Sequence, residues 1–205
     1  MKYERLRTDD DFAQARFVMQ AALSQSAQAP AIRHPNGFTK IPLSASADKR
    51  RLFLHVWENP ASDSQIHDHR WGFTSIVLAG HLVNTTYNLE PCVSGMSDMR
   101  GAHIATYSSD GATFALEPAG GSAVVPVVRA RVTLSRGEQY SQEPTELHRV
   151  AAAAGTVTFV ARDRHVKPVA RVLIARDGGP SREDFTRVAP AERDALIRSV
   201  LQQIT

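Results

Sequence analysis

The chain has 205 residues, of which 42% are apolar and 22% charged, and its net charge is +3. That length suits one ordinary domain with a real core, and no apolar run approaches the roughly 18 residues of a membrane-crossing helix. The single cysteine, Cys92, excludes an internal disulfide and any multi-thiolate metal site.

The opening stretch, M-K-Y-E-R-L-R-T-D-D-D, is charged and lacks the apolar core of an export signal. The expectation is a cytoplasmic protein whose thiol stays reduced. Residues 9–23 read as a helix. Thr8 or Asp9 can cap it, acids fill its first turn, and Phe12, Ala15, Val18, Met19 and Ala22 share one face. Residues 24–36, rich in Ser, Gln, Ala and Pro and ending in H-P-N-G, read as a loop.

The hydrophobic period then falls from 3.6 to 2. In R-L-F-L-H-V-W, residues 51–57, Leu52, Leu54 and Val56 face one way while Phe53, His55 and Trp57 face the other. Strand-like runs follow at 72–79, 81–88, 103–107, 112–116, 122–134, 156–161 and 169–176, separated by turn signals such as S-S-D-G, E-P-A-G-G and S-R-G. Between 128 and 134, Arg129 and Arg131 alternate with valines expected to face the core. Residues 189–204 read as a second helix, with Pro190 near its first position and an apolar stripe of Ala195, Leu196, Val200, Leu201 and Ile204.

Many short strands without interleaved helices predict an all-β sandwich or barrel. The expected layout is a helix and loop over 1–36, a barrel over 37–178 and a helical tail over 179–205. Together they make one domain, with a helix packed on each end of the barrel.

The basic residues are mostly arginines, scattered among acids and never in a block of five. The absence of a basic stripe or recognition motif argues against nucleic acid as a partner. Arginine also grips carboxylates and phosphates bidentately, so a small anionic ligand suits this composition.

One stretch carries chemistry: Q-I-H-D-H-R-W-G-F-T-S-I-V-L-A-G, residues 65–80. On an extended segment His67 and His69 project to the same side. Neutral imidazole is the commonest ligand for iron, zinc, nickel and copper, and a third ligand holds such an ion while leaving positions open. His148, in Y-S-Q-E-P-T-E-L-H-R-V, is the best third candidate. His55 shares a face with Phe53 and Trp57 and is a candidate pocket residue. His34, His81, His103 and His165 are expected to be structural or exposed. Tyr107, on a face with His103 and Ala105, is the favoured source of a phenol.

The pattern resembles the cupin superfamily, whose first motif is H-x-H followed by a glutamate and a glycine. His67, His69 and Gly80 match, and Gly137, Pro144 and His148 match the second motif loosely. The glutamate position falls on Phe73 or Thr74, so Phe73 becomes a candidate substrate contact rather than a ligand. The fold this implies is a cupin-type double-stranded β-helix, a jelly-roll barrel, with N- and C-terminal helices.

Within the superfamily, F-T-K-I-P-L at 38–43, L-F-L-H-V-W at 52–57, I-H-D-H at 66–69, L-A-G-H-L at 78–82 and L-H-R-V at 147–150 are similar to the thiol dioxygenases, the cysteine dioxygenase family. The likeness covers roughly half the chain. Those enzymes also use three histidines and no glutamate, so it implies His67, His69 and His148 as the metal set. Lys40 stands where the family has a carboxylate-binding arginine. The family's Ser-x-His-x-Tyr trio falls on Thr158, Val160 and Arg162, which argues for a substrate other than cysteine and for Arg162 as a second cation.

The resulting expectation is a non-haem iron(II) dioxygenase acting with O2 on a small anionic or amino-acid-like substrate, a thiol among the options. Lys40, Arg162 and Phe73 would hold the substrate. Zinc, nickel and manganese suit the same donors. A non-oxidative lyase or isomerase is the alternative, with Tyr107 or His55 as the base near the metal. A non-catalytic, small-ligand-binding cupin is the third reading. Cupins are often dimers, which keeps a homodimer open.

Overall fold

In the computed structural model, residues 2–5, 8–24, 30–45, 51–92, 102–109, 113–175 and 181–204 are described. Two antiparallel sheets face each other. The first runs in the order β1 (Lys2–Arg5), β11 (Glu138–Gln142), β6 (Phe73–Ala79), β13 (Thr156–Arg162), β4 (Arg51–Trp57), β3 (Thr39–Ala45), β2 (Ile32–Arg33) and β16 (Thr186–Arg187). The second runs β15 (Ser181–Asp184), β9 (Thr113–Pro118), β8 (Ala102–Ser109), β10 (Val124–Ser135), β7 (His81–Pro91), β12 (Leu147–Ala152) and β5 (Ala61–Ser62), with β14 (Ala170–Ala175) paired to β8.

The chain passes repeatedly from one sheet to the other, and the result is a β-sandwich of the jelly-roll type with two helices. Two of the crossings turn on glycine. Gly80 (φ 70°) leads β6 of the first sheet into β7 of the second, and Gly137 (φ 83°) leads β10 back into β11. A Cβ at Gly80 would sit 2.8 Å from the Thr156 Cα, so the corner demands glycine for space as well as for conformation.

The helices α1 (Thr8–Ser24) and α2 (Pro190–Gln203) both pack on the outer face of the first sheet. Phe12, Ala15 and Met19 of α1, Ile197 and Val200 of α2 and Ile204 at its C-terminal cap meet Ile41, Leu54, Ile76, Val157 and Phe159. Arg193 donates from Nη2 to the Ala22 carbonyl at 3.2 Å, tying the helices together. The expectation of one helix at each end of a barrel is therefore corrected. The outward side chains of β4, β6 and β13 form one apolar surface, and one apolar face needs one cover.

Other local readings change too. Residues 24–36 are not all loop, because Ile32–Arg33 pairs with both β3 and β16. The first residues join the first sheet through β1 and β11, a pairing that the charged sequence does not advertise. The valine face of β10 is only partly core: a bulge between Val128 and Ala130 leaves Val128 58% exposed. The expected cap side chains of Thr8 and Asp9, and Asp110–Gly111 of one turn signal, lie outside the described residues.

Alternation on β4 is as the sequence predicts. Leu52, Leu54 and Val56 face the helices, while Phe53 and Trp57 join Phe73, Val77, Tyr140 and Val160 between the sheets. The inner face of the first sheet thereby becomes one wall of a cavity.

Candidate metal centre

His67 and His69 lie just before β6 rather than within it. The segment is extended, and it bridges two strands of the second sheet: His67 pairs with His148 on β12 and with Val172 on β14. Backbone bonds fix it on both sides. The His67 and His148 amides donate to each other's carbonyls at 3.0 and 2.8 Å, and the Asp68 amide donates to the Arg171 carbonyl at 2.9 Å.

Asp68, between the two histidines, points away from them. Its buried carboxylate accepts from the Arg171 amide at 2.7 Å, from Arg171 Nε at 2.6 Å and from Lys167 Nζ at 2.6 Å. This is why D in H-D-H has its own structural job. It pins the segment to β14 while its neighbours face inward.

The three imidazoles converge. One ring nitrogen from each of His67, His69 and His148 lies within 4.8 Å of the others, and Nε2 of His69 faces Nε2 of His148 at 2.9 Å. Two nitrogens at about 2.1 Å from a common ion and at right angles lie about 3.0 Å apart, so this pair has the spacing of neighbouring ligands. The far nitrogens are engaged. His148 Nδ1–H donates to Asn84 Oδ1 at 3.0 Å, and His67 Nδ1–H donates to the Gln65 carbonyl at 3.1 Å. In those tautomers Nε2 of each presents a lone pair to the shared space.

Burial, then the neighbouring imidazoles His67 and His148, holds the His69 ring well below its ordinary pKa; burial, then His67, does the same for His148. Both rings are neutral, as a ligand must be. Behind His148, Asn84 Nδ2 donates to Gln142 Oε1 at 3.4 Å, and Gln142 Nε2 donates to the Glu146 carbonyl at 3.3 Å. This relay reaches back to the turn that launches β12. The donor set and the spacing fit a metal ion, and no carboxylate joins the set among the described residues.

A cavity of about 270 Å³ opens onto the histidines. That is just under the usual range of roughly 300–1,000 Å³ for ligand pockets, so it suits a small molecule. The other candidate site residues, Lys40, His55, Phe73, Tyr107 and Arg162, line it. Phe73 stands edge-on to His69 at 5.0 Å, an apolar wall beside that ring.

Lys40 is not a surface lysine. Its ammonium lies 4.5 Å from the centre of the Phe53 ring, and burial, followed by the charge of Arg162, pulls it down to about 8. Arg162 lies 4.2 Å from the Trp71 ring and 5.5 Å from Phe53, and burial first, then Arg51 and Arg70, brings it down to about 10.

Several lining residues were not anticipated. His34, expected to be structural or exposed, lies against Phe38 at 4.5 Å and lines the cavity. Burial, then Lys40, holds it down to about 3. Trp71 is covered by Arg162 on one contact and by exposed His165 on another, at 5.0 Å. The run H-D-H-R-W-G-F places a residue of the cavity at every second position, and that period was the available signal for Trp71. His34 had none, because its approach depends on the pairing of β2 with β3. His81 is exposed, and neither it nor His103 lines the cavity.

No protein-family model matches the chain, and no curated protein matches it. Solved structures give partial superpositions. One is a hydroquinone 1,2-dioxygenase, PnpCD, in complex with Cd2+ and 4-hydroxybenzonitrile, at 15% identity and TM-score 0.40, covering 74% of this chain and 77% of that one. Another is Peruvianin-I, a cysteine peptidase from Thevetia peruviana latex, at 16% identity and TM-score 0.37, covering 80% and 78%. A third is oxalate oxidase with the substrate analogue glycolate, at 9% identity and TM-score 0.34, covering 90% and 79%. All three are distant.

Proposed function

We propose that this protein is a metal-dependent cupin of the three-histidine kind, an oxidoreductase that uses iron(II) and O2 to oxidise a small anionic or amino-acid-like substrate. The observation that carries the reading is the convergence of His67, His69 and His148, with one ring nitrogen from each within 4.8 Å of the others, on the lining of a cavity of about 270 Å³. Three neutral imidazoles would leave an iron(II) ion dipositive, with free positions to take up substrate and O2 together.

The chain's own residues would do the rest. Asn84 and the Gln65 carbonyl hold the ligand rings in one tautomer. Phe73, Phe53 and Trp71 give the cavity an apolar wall. Lys40 and Arg162 supply positive charge for the substrate's anionic part, and Tyr107 and His55 stand on the lining where a proton must be held or passed. His55 is neutral, kept well below its ordinary pKa by burial and then by Lys40, so it accepts a proton only with a gain in charge nearby.

The test is metal content and oxygen uptake of protein purified without air, beside a His67→Ala variant. Near-stoichiometric iron, lost in the variant together with substrate-dependent oxygen uptake, is the expected result. An active, metal-free His67→Ala protein would sink the reading. Zinc, nickel or manganese with no oxygen uptake would transfer it to a non-oxidative lyase or isomerase on the same ligands.

A further inference from the structure

Two cations on the inner face of the first sheet, Lys40 and Arg162, lie against Phe53 without a carboxylate partner among the described residues. The strand register sets this out. Lys40 on β3 lies opposite His55 on β4, and His55 lies opposite Thr158 on β13. These three form one cross-strand row. Two residues along, Phe53 lies opposite Val160; two further, Arg51 lies opposite Arg162, which in turn faces Phe73 on β6. Lys40 and Arg162 are thus diagonal neighbours of Phe53 on opposite strands.

Their charged heads converge on its ring, at 4.5 and 5.5 Å from the centre. Both measured from one point, the two heads lie within about 10 Å of each other.

Neither cation has a carboxylate partner among the described residues. Among the described residues no ion pair or hydrogen bond involves the Lys40 ammonium or the Arg162 guanidinium. Their close partners are ring faces. A ring face orients a cation but leaves its N–H donors unused, and it offsets only part of the cost of burial. The polar atoms around them are unused as well. Thr158, 1% exposed, has an unpartnered Oγ1; His55 has an unpartnered, buried Nε2; Arg162 has an unpartnered, buried Nε.

These atoms sort into two groups. Lys40, His55 and Thr158 make one, the cross-strand row over β3, β4 and β13. Arg162, against Trp71, makes the other.

We propose that the cavity takes a small dianionic acid, with one acidic group held by Lys40, His55 and Thr158 and the other by Arg162, its carbon chain crossing Phe53. A monoanion would neutralise one cation and leave the other unpaired in the cavity wall. A diacid satisfies both, and the span between the two heads fits a short chain. The inference rests on reading the cavity as the substrate site of the metal centre, and it makes the substrate class a dicarboxylate or its close equivalent.

The experiment uses metal-free full-length protein and isothermal titration calorimetry with malonate, succinate, glutarate and adipate, each beside the monocarboxylate of equal length. The expected result is that at least one diacid binds tenfold or more tighter than its monoacid. Lys40→Gln and Arg162→Gln should each reduce that preference below threefold. Equal binding of diacid and monoacid by the wild-type protein overturns the proposal, and that comparison needs no variant to fold. Retention of the preference in both variants also overturns it. Metal binding without the preference defeats the diacid alone. The preference without any metal binding defeats the metal reading and leaves the anion site standing.

Discussion

At His148 a single side chain decides which nitrogen faces the cavity. Asn84 is fully buried and accepts from Nδ1, so Nε2 is left with its lone pair inward. Asn84→Ala removes that acceptor without touching a proposed ligand. The expected outcome is a loss of metal affinity of about 10–100-fold, measured by competition with a chelator. Lys40 gives a second residue-scale prediction. Its ammonium, brought down to about 8, is charged below that pH and neutral above it. Anion binding should therefore hold at neutral pH and weaken as pH rises through about 8. In Lys40→Arg the weakening should move to higher pH, because a guanidinium keeps its charge.

Among the elements, the extended H-D-H segment depends most on a tie outside itself. It belongs to neither β6 nor any other strand, and Asp68 clamps it to β14 through Arg171 and Lys167. Asp68 is fully buried while its two partners keep some exposure. Replacing it by alanine strands two partly buried cations and should cost about 3 kcal/mol in a denaturant titration. Metal affinity should fall with it, since His67 and His69 flank the clamp. The other decisive element is the inner face of β4, where Phe53 separates two cations. Alternation in R-L-F-L-H-V-W is enough to place Phe53, His55 and Trp57 together, but the neighbours across β3 and β13 come from register alone.

For the whole molecule, the buried neutral imidazoles set the acid limit. His34 is held down to about 3 and His55 well below its ordinary value, chiefly by burial. The unfolded chain takes up protons at about pH 6.5 and the folded chain does not, so folding stability is full above that pH. It falls as pH drops from about 6.5 toward the folded values. Thermal denaturation of metal-free protein at pH 7.5, 6.0 and 4.5 should show a melting temperature that declines across the series. In His34→Gln the decline should be shallower.

Much was legible along the chain. Period 2 with regular turns marks an all-β fold, because strand residues alternate between faces whatever their partners. Caps and stripes mark two helices, because a helix buries its own contiguous face. The H-x-H pair and Gly80 carry local geometry in their own spacing, so the two imidazoles and the corner beside them were readable. Contacts between distant strands were not. His148 could be nominated by its residue type, but its meeting with His67 requires a bridge between β12 and the H-D-H segment. The two helices share one face of one sheet because the outward side chains of β4, β6 and β13 form one apolar surface, and sequence periodicity does not say which sheet a helix covers. His34 enters the cavity through the pairing of β2 with β3, and the two cations gather at Phe53 through the register of β3, β4 and β13. Local periodicity is written residue by residue. Registers and sheet packing are set by all the contacts at once, and only the tertiary structure decided them.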